Sequence, residues 1–186
     1  DDLREQLSRF FADETRFALG VCNGCQMMSG LREIVPGADD WPDFVRNQSE
    51  QFEARLSMVE ILESPSVFFK DMAGAVLPVV VSHGEGRAEL NRHREGAANL
   101  NRHCEPAEGG RGNPVIRYVD AAGKPTETYP ANPNGSPQGL TGFTNTDGRV
   151  TQMMPHPERV FRNDQLTWKP EQFSALRENS PRIQKL

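Results

Sequence analysis

The sequence places a cysteine where a thiol could act as a nucleophile. Cys22 ends a short apolar run, residues 17–21, and Gly24 follows it two residues later within the segment GVCNGCQ. A thiol is mostly protonated at neutral pH, and the backbone N–H groups at a helix N-terminus favour its ionised form. A cysteine at a tight strand-to-helix turn therefore suits nucleophilic catalysis, with Gly24 leaving room for a substrate.

Two other interpretations of this cysteine stay open on spacing alone. A cysteine is most often a small buried hydrophobic residue. Cys22 and Cys25 also form a C-x-x-C pair, which is typical of redox-active thiols and zinc ligands. The chain has three cysteines, an odd number for a disulfide framework, and this favours a reduced, cytoplasmic setting.

A cysteine nucleophile needs a base, and the chain has four histidines. His83 lies in the segment SHGEGR, with Glu85 two residues later. His156 follows a predicted strand, with Glu158 two residues later. A nearby carboxylate can orient an imidazole so that the ring takes the proton of the thiol. Spacing alone does not choose between these two histidines.

Periodicity and turn residues predict the elements that must position these groups. Residues 3–11 and 23–31 have helical spacing, and residues 17–21 suit a buried strand, so Cys22 lies at a strand–turn–helix junction. Further strands are predicted at 52–62 and 75–82, and the β-branched content of 75–82 indicates a central strand. Two hairpins are predicted, one from 115–120 and 125–129, the other from 140–145 and 150–154.

The stretch 87–113 is polar and weakly patterned, and we interpret it as a variable surface excursion. It contains His93 and His103, which we expect to be solvated and to take no part in the chemistry.

The composition limits the class of protein. At 186 residues the chain is long enough for one domain with a substantial core. Its net charge of -5 argues against a nucleic-acid partner, since phosphate binding needs clustered lysine and arginine. The longest apolar run, 75–81, is too short to span a membrane. We therefore predict a single domain over residues 1–186, with neither a nucleic-acid nor a membrane partner.

Four segments resemble, in the same order, the glutaminase domain of the large single-chain phosphoribosylformylglycinamidine synthase family. GVCNGCQ resembles the nucleophile motif of class I glutamine amidotransferases, and YPANPNGSP with MMPHPERVFR is the most specific match. The resemblance implies an α/β, flavodoxin-like three-layer fold with an open, mostly parallel sheet plus antiparallel hairpins. The segments are residues 17–31, 46–61, 79–90 and 126–162.

The resemblance implies a catalytic triad. Cys22 would be the nucleophile, His156 the general base and then acid, and Glu158 the orienting carboxylate. Glutamine would form a γ-glutamyl thioester on Cys22 and release ammonia, and water would then hydrolyse the thioester to glutamate. Cys25 would then be a packing residue rather than a redox partner.

The resemblance also implies positions that bind glutamine. These are Gln26 on the helix after the nucleophile, and Asn47, Ser49 and Phe52 in the segment 47–52. The backbone N–H of Asn23 would supply one donor of the oxyanion hole. The segment SHGEGR is also typical of the family, where it would shape the site entrance, contact the synthetase or have a structural role.

The partners and cofactors follow from the same resemblance. Glutamine would be the substrate, and a synthetase domain of the same polypeptide would receive the ammonia. There, ATP and magnesium would support conversion of formylglycinamide ribonucleotide to the amidine in purine biosynthesis, whereas the glutaminase domain would need no cofactor or metal of its own.

The chain departs from the family before the nucleophile. Only about 16 residues precede the apolar run, whereas a βα unit needs on the order of 30. We therefore expect the Gly-rich oxyanion segment of the family to lie outside this chain, which would be a portion of a larger enzyme with weak or no activity alone. A C-x-x-C redox or zinc-binding protein, and a non-catalytic amidotransferase-like interaction domain, remain the alternatives.

Overall fold

A computed structural model describes residues 2–90, 113–160 and 165 of the chain. Within them, eight strands form one six-stranded sheet and one two-stranded ribbon, accompanied by two α-helices. The bounds are α1 Asp2–Ala12, β1 Ala18–Val21, α2 Asn23–Gly30, β2 Asp43–Val45, β3 Glu53–Ile61, β4 Val76–His83, β5 Arg87–Glu89, β6 Pro114–Val119, β7 Leu140–Thr144 and β8 Val150–Met153.

The large sheet has the order β1-β8-β7-β6-β3-β4. The predicted α/β class is confirmed, and the sheet is mixed. Among the described strands only β1 and β8 pair in parallel, and the other four neighbouring pairs are antiparallel. The prediction of a mostly parallel sheet is therefore wrong for this part of the chain. The physical reason is that the connections from β3 to β4, from β6 to β7 and from β7 to β8 contain no α-helix, whereas parallel neighbours need a crossover that usually contains one.

Strand β1 and helix α2 pack closely enough that only glycine fits between them. A Cβ atom on Gly20 would lie 2.6 Å from Met28 Sδ and 2.8 Å from the Gly24 carbonyl oxygen. Met28 in turn belongs to the main hydrophobic cluster, which also contains Phe11 of α1 and Trp41. This packing fixes where α2 begins relative to the end of β1.

Strand β4 lies at an edge of the sheet, so its prediction as a central strand is wrong. Its valines alternate instead of being uniformly buried: Val79 and Val81 are buried, whereas Val76 is exposed. Beyond its ladder with β3, the backbone of β4 makes one bridge, at Val80, whose carbonyl accepts a hydrogen bond of 2.7 Å from the His156 N–H. This edge therefore holds one of the predicted catalytic residues.

The two predicted hairpins differ in outcome. Strands β7 and β8 form the expected antiparallel hairpin, with Gly148 in the turn at a φ of 77°. The predicted second arm of the hairpin after β6, residues 125–129, is not a strand. Within it only Pro125 forms a β-bridge, to Val119. A chain with two prolines, Pro125 and Pro130, lacks the N–H groups that a continuous ladder needs.

The predicted excursion 87–113 begins as strand β5, which pairs antiparallel with β2. Residues 91–112, including His93 and His103, lie outside the described residues, as does most of the chain after residue 160. Among the helices that the structure describes, none has the length and apolarity needed to cross a bilayer.

Candidate active site

The backbone at Cys22 forms a sharp turn between β1 and α2. Its φ of 54° and ψ of -108° are unusual for a residue with a side chain. The ladder with β8 continues to this residue, since the Cys22 N–H donates to the Met153 carbonyl at 2.9 Å. Cys22 therefore occupies the N-cap of α2 at the carboxyl end of β1, the geometry of a nucleophile elbow.

The groups around the Cys22 thiol shift its pKa in opposite directions. Partial burial raises its pKa, and the backbone N–H of Asn23 at the start of α2 lowers it. Arg159 also lowers the pKa, whereas Glu158 and Glu85 raise it. Sγ lies 4.0 Å from the Ser82 carbonyl oxygen, a long contact to a group that accepts but cannot donate a hydrogen bond.

His156 lies three residues beyond β8, which runs parallel to β1, so both side chains lie at the same end of the sheet. The Glu158 Oε1 atom is 2.6 Å from His156 Nδ1. Because an ionised carboxylate can only accept, Nδ1 carries the proton and Nε2 carries a free lone pair. That Nε2 atom is buried and has no partner within the described residues. His156 is therefore in the tautomer that a general base requires.

Cys22, His83 and His156 converge. Sγ of Cys22, one ring nitrogen of His83 and one of His156 all lie within 4.8 Å of one another. Both predicted base candidates thus approach the thiol, and a Cys-His-His set is also a set of metal ligands. The hydrogen bonds of the two rings decide between these functions.

A network of buried amides determines the tautomer of His83. Asn47 donates through Nδ2 to the carbonyls of Gln51, at 3.0 Å, and His83, at 2.9 Å, and its Oδ1 accepts from the Gly86 N–H at 2.9 Å. Three backbone groups therefore fix which end of the Asn47 amide is oxygen. The Asn134 Nδ2 atom lies 2.8 Å from this oxygen, so it must be the donor.

The same Asn134 Nδ2 group lies 2.9 Å from His83 Nε2, while its Oδ1 accepts from the Tyr118 hydroxyl at 2.6 Å. His83 Nε2 is thus an acceptor, and in a neutral ring Nδ1 carries the proton. Burial lowers the pKa of His83 to about 4, so the ring is neutral at pH 7. With one lone pair engaged and the other nitrogen protonated, His83 has no site left to act as the base or to ligate a metal.

The positions of the two carboxylates, Glu158 and Glu85, agree with His156 rather than His83 as the base. Glu158 contacts the ring of His156 directly, and Arg159 Nε lies 3.5 Å from the same carboxylate oxygen. Glu85 is exposed, and its backbone carbonyl accepts from Gln26 Nε2 at 3.1 Å. The geometry of the described residues thus favours His156 and Glu158 over His83 and Glu85.

Cys25 is fully buried, and burial raises its pKa well above the usual value. Cys22 and Cys25 are both free thiols. A redox or zinc pair needs both sulfurs to be reachable as thiolates, and the buried Cys25 side chain packs inside the helix-sheet layer instead.

The predicted glutamine-binding residues lie in different settings. Gln26, on the first turn of α2, connects this helix to the loop after β4. Asn47 is buried, and the network leaves its side chain no free group for a ligand, so we assign it to the support of His83. Ser49 is half-buried, and Phe52 is 66% exposed and points to solvent rather than to the cluster.

An open cavity of about 390 Å³ adjoins this support network. Ser49 lines it, whereas Cys22, His83 and His156 do not. The cavity is large enough for a small metabolite, but its lining carries none of the three convergent groups. Its lining residues are Gln48, Ser49, Gln51, Glu127, Tyr129, Asn132, Pro133 and Gly135.

Asn134 and Tyr118 were not predicted from the sequence to be parts of the site. Asn134 lies in a turn-rich loop, where asparagine is expected for turn geometry alone. One signal in the sequence was that an asparagine between Pro133 and Gly135 belongs to the most family-specific segment. Tyr118 lies on β6 and reaches the site only through the fold of the sheet.

Comparisons with known proteins show the family and the fold of this chain. A family model described as the CobB/CobQ-like glutamine amidotransferase domain matches residues 1–184. The solved structure of PurLQS from Thermotoga maritima is similar in fold, with a TM-score of 0.60 and 19% sequence identity. That match covers 88% of this chain and 60% of the PurLQS chain, so this chain spans well under the full length of that relative.

Two further solved structures are more distant. A glutamine amidotransferase from Thermotoga maritima is 18% identical with a TM-score of 0.46, over 82% of this chain and 45% of that one. A Thermoplasma acidophilum protein named for a GMP synthase component is 13% identical with a TM-score of 0.43, over 84% and 55%. These scores are too low to support an argument. On the family model, this chain belongs to the CobB/CobQ-like glutamine amidotransferase domain family.

Proposed function

We propose that the protein hydrolyses glutamine to glutamate and ammonia through a thioester on Cys22. The observation that carries the proposal is the tautomer of His156. Its Nδ1 proton is held by Glu158, its Nε2 is buried without a partner among the described residues, and one nitrogen of the ring lies within 4.8 Å of the Cys22 sulfur. This is the arrangement in which a ring removes the proton of a cysteine nucleophile.

In the first half-reaction, His156 takes the thiol proton and the sulfur attacks the side-chain amide carbon of glutamine. A tetrahedral oxyanion forms, and the backbone N–H of Asn23 is the donor that we assign to it. His156 then gives its proton to the leaving nitrogen, the C–N bond breaks, and ammonia departs. The γ-glutamyl group stays on Cys22 as a thioester.

In the second half-reaction, His156 removes a proton from water, which attacks the thioester carbonyl. The C–S bond breaks, the proton returns to the sulfur, and glutamate is released. Glu158 holds the ring in one orientation throughout and stabilises its protonated form. Gln26, four residues after the nucleophile on α2, is the side chain that we assign to binding the glutamine.

We further propose that the ammonia supplies an ATP- and magnesium-dependent synthetase domain of the same cytoplasmic polypeptide. That domain would convert formylglycinamide ribonucleotide to formylglycinamidine ribonucleotide. Membership of the amidotransferase family, the four matching sequence segments and the PurLQS-like fold support this assignment. The glutaminase domain itself would use no metal, because the hydrogen bonds of His83 withdraw it from the Cys-His-His set.

Because we expect weak or no activity from this domain alone, the test measures glutamate release from glutamine by a polypeptide that also contains the proposed synthetase domain, as the wild type, Cys22→Ala and the control Ser64→Ala. We expect release by the wild type and the control to exceed that of Cys22→Ala by at least about 100-fold. Equal rates for a folded wild type and Cys22→Ala would overturn the proposal. Ammonia formation equal to glutamate formation would identify the products.

A further inference from the structure

His83 is a buried group at the reaction centre that the proposed mechanism does not use. It ends strand β4, is only 4% exposed, and brings one ring nitrogen within 4.8 Å of both Cys22 Sγ and a ring nitrogen of His156. A polar ring is costly to bury, and this one is buried close to a nucleophile.

The ring is held in place as well as in one tautomer. Its Nε2 accepts from Asn134, and a Cβ atom on Gly86 would lie only 2.1 Å from that nitrogen. The ring therefore packs directly against the Gly86 backbone, which explains a glycine at this position. Asn134 itself is fully buried and is fixed in turn by Tyr118 and Asn47.

One hydrogen-bonding group of the ring is left over. The Nδ1 atom is buried and has no partner in the part of the chain that the structure describes. A buried N–H without an acceptor is costly, and a role in catalysis is one physical reason for such a group in a native protein. The Cys22 sulfur lies within 4.8 Å of one nitrogen of this ring, and it becomes an anion when the thiol ionises.

The thiol needs such a donor when it ionises. In the protonated state its long contact is to the Ser82 carbonyl oxygen, which repels a thiolate because both carry negative charge. Of the groups around the sulfur, the Asn23 N–H and the Arg159 guanidinium favour the anion, whereas burial, Glu158 and Glu85 disfavour it. A second N–H donor would offset the carbonyl and the carboxylates.

We propose that the Nδ1–H group of His83 is a preset hydrogen-bond donor to the ionised sulfur of Cys22, and that Asn134 sets it by holding the ring in this tautomer. The inference rests on the proposed function for its purpose, since a stabilised thiolate is what the attack on glutamine requires. His83 acts by donating a hydrogen bond and never accepts the proton, which goes to His156.

The experiment measures the ionised fraction of Cys22 without using glutamine. Iodoacetamide is added to the wild type, His83→Leu and His83→Asn at pH 7, and alkylation of the Cys22 peptide is followed by mass spectrometry. Leucine removes the donor, whereas the asparagine amide nitrogen stands near the Nδ1 position. We expect alkylation to be about tenfold slower in His83→Leu and within about threefold of the wild type in His83→Asn.

Equal rates in all three proteins, or equal slowing in both variants, would overturn the proposal, since a merely structural role predicts the second pattern. Should His83→Leu fail to fold, the imidazole ¹⁵N–¹H spectrum of the wild type decides instead. We expect a His83 Nδ1–H resonance that moves as Cys22 ionises and does not move in Cys22→Ser. A proton on Nε2, or a resonance insensitive to Cys22, would overturn it.

The two proposals fail separately. If Cys22 is alkylated as expected but glutamate release is independent of Cys22, the proposed function falls and the role of His83 in stabilising the thiolate stands. If glutamate release depends on Cys22 but alkylation does not depend on the donor, only the inference about His83 falls.

Discussion

At the scale of single residues, the site depends on which atoms carry protons. His156 and His83 each bring a ring nitrogen within 4.8 Å of the Cys22 sulfur, yet their hydrogen bonds give them opposite capacities. A carboxylate on Nδ1 leaves His156 with a free lone pair, and an amide N–H on Nε2 leaves His83 with a free N–H. Histidines at similar distances are thus distinguished by their second hydrogen-bond partner.

The carboxylate of Glu158 is expected to be essential for turnover. Glu158→Gln would place an amide against His156 Nδ1 and favour the tautomer with a proton on Nε2, where the lone pair is needed. We expect glutamine hydrolysis to fall about 100-fold or more. The matched control is Glu85→Gln, which changes an exposed carboxylate that contacts neither ring, and its rate should stay within about threefold. Equal losses in both variants would contradict the role of Glu158.

The neutral state of His83 predicts a pH dependence of stability. Burial lowers the pKa of His83 from 6.5 to about 4, so the unfolded chain binds more protons than the folded one between these values. Stability from this residue is fully present above pH 6.5 and is lost as the pH falls toward 4. We expect the free energy of unfolding to drop by up to about 3 kcal/mol more in the wild type than in His83→Asn across this window.

Urea unfolding at pH 7, 5.5 and 4.5 measures this difference. Other titrating groups, including the neighbouring His156 and Glu53, are present in both proteins and largely cancel. Parallel pH profiles for the two proteins would show that His83 titrates normally and is not buried as a neutral ring.

At the scale of elements, the junction of β1 and α2 was predictable because its signals are local. An apolar run, a cysteine, two glycines and a helical spacing all lie within 15 residues. The position of β4 was not predicted correctly, although Pro78 within it indicates an edge strand. Proline lacks the N–H of a ladder and is found on edge strands. The β-branched composition of β4 indicates burial, but of its valines only Val79 and Val81 are buried, on one face.

The close approach of β1 and α2 can be tested at Gly20. An alanine there would place Cβ 2.8 Å from the Gly24 carbonyl oxygen, a backbone atom that cannot move aside easily. We expect Gly20→Ala to lower the free energy of unfolding by about 1–3 kcal/mol and to displace Cys22. Gly30→Ala, at the end of the same helix with open space around it, should cost nothing or stabilise by less than about 1 kcal/mol.

Chemical denaturation of both variants checks this pair. A Gly20→Ala protein as stable as Gly30→Ala would mean that the strand and the helix are not in the close contact described.

At the scale of the whole molecule, the site brings together groups from distant parts of the chain. Cys22, His83, Asn134 and His156 lie on four different segments, and only the sheet order places them side by side. Spacing within the sequence could pair His156 with Glu158, which are two residues apart. It could not choose between two histidines or find the amide network, because, apart from the local bond from Asn47 to Gln51, those contacts span 16 to 87 residues.

One side chain connects the start of the described chain to its last hairpin. Arg149 donates to the carbonyls of Asp13 and Arg16, at 2.8 and 2.9 Å, and pairs with the Asp147 carboxylate. The Arg149 side chain is 11% exposed, so its loss removes two charge-assisted hydrogen bonds from a position that is largely shielded from water. We expect Arg149→Met to lower the free energy of unfolding by about 2–3 kcal/mol.

The control for this prediction is Arg4→Met, which removes an exposed ion pair with Glu33. Such pairs contribute less than about 1 kcal/mol. Thermal and urea unfolding of the two variants would contradict the connection if Arg149→Met were no less stable than Arg4→Met.

The central claim is that Cys22 attacks the side-chain amide of glutamine, and a glutamine-mimicking diazoketone tests it most directly. The protein is incubated with this reagent, and the modified peptides are mapped by mass spectrometry, with iodoacetamide labelling in parallel to show that Cys22 is reachable. We expect one adduct, on Cys22, which excess glutamine prevents. The Cys25→Ser variant should form the same adduct. An adduct on Cys25 or Cys104, or no adduct while iodoacetamide still labels Cys22, would contradict it.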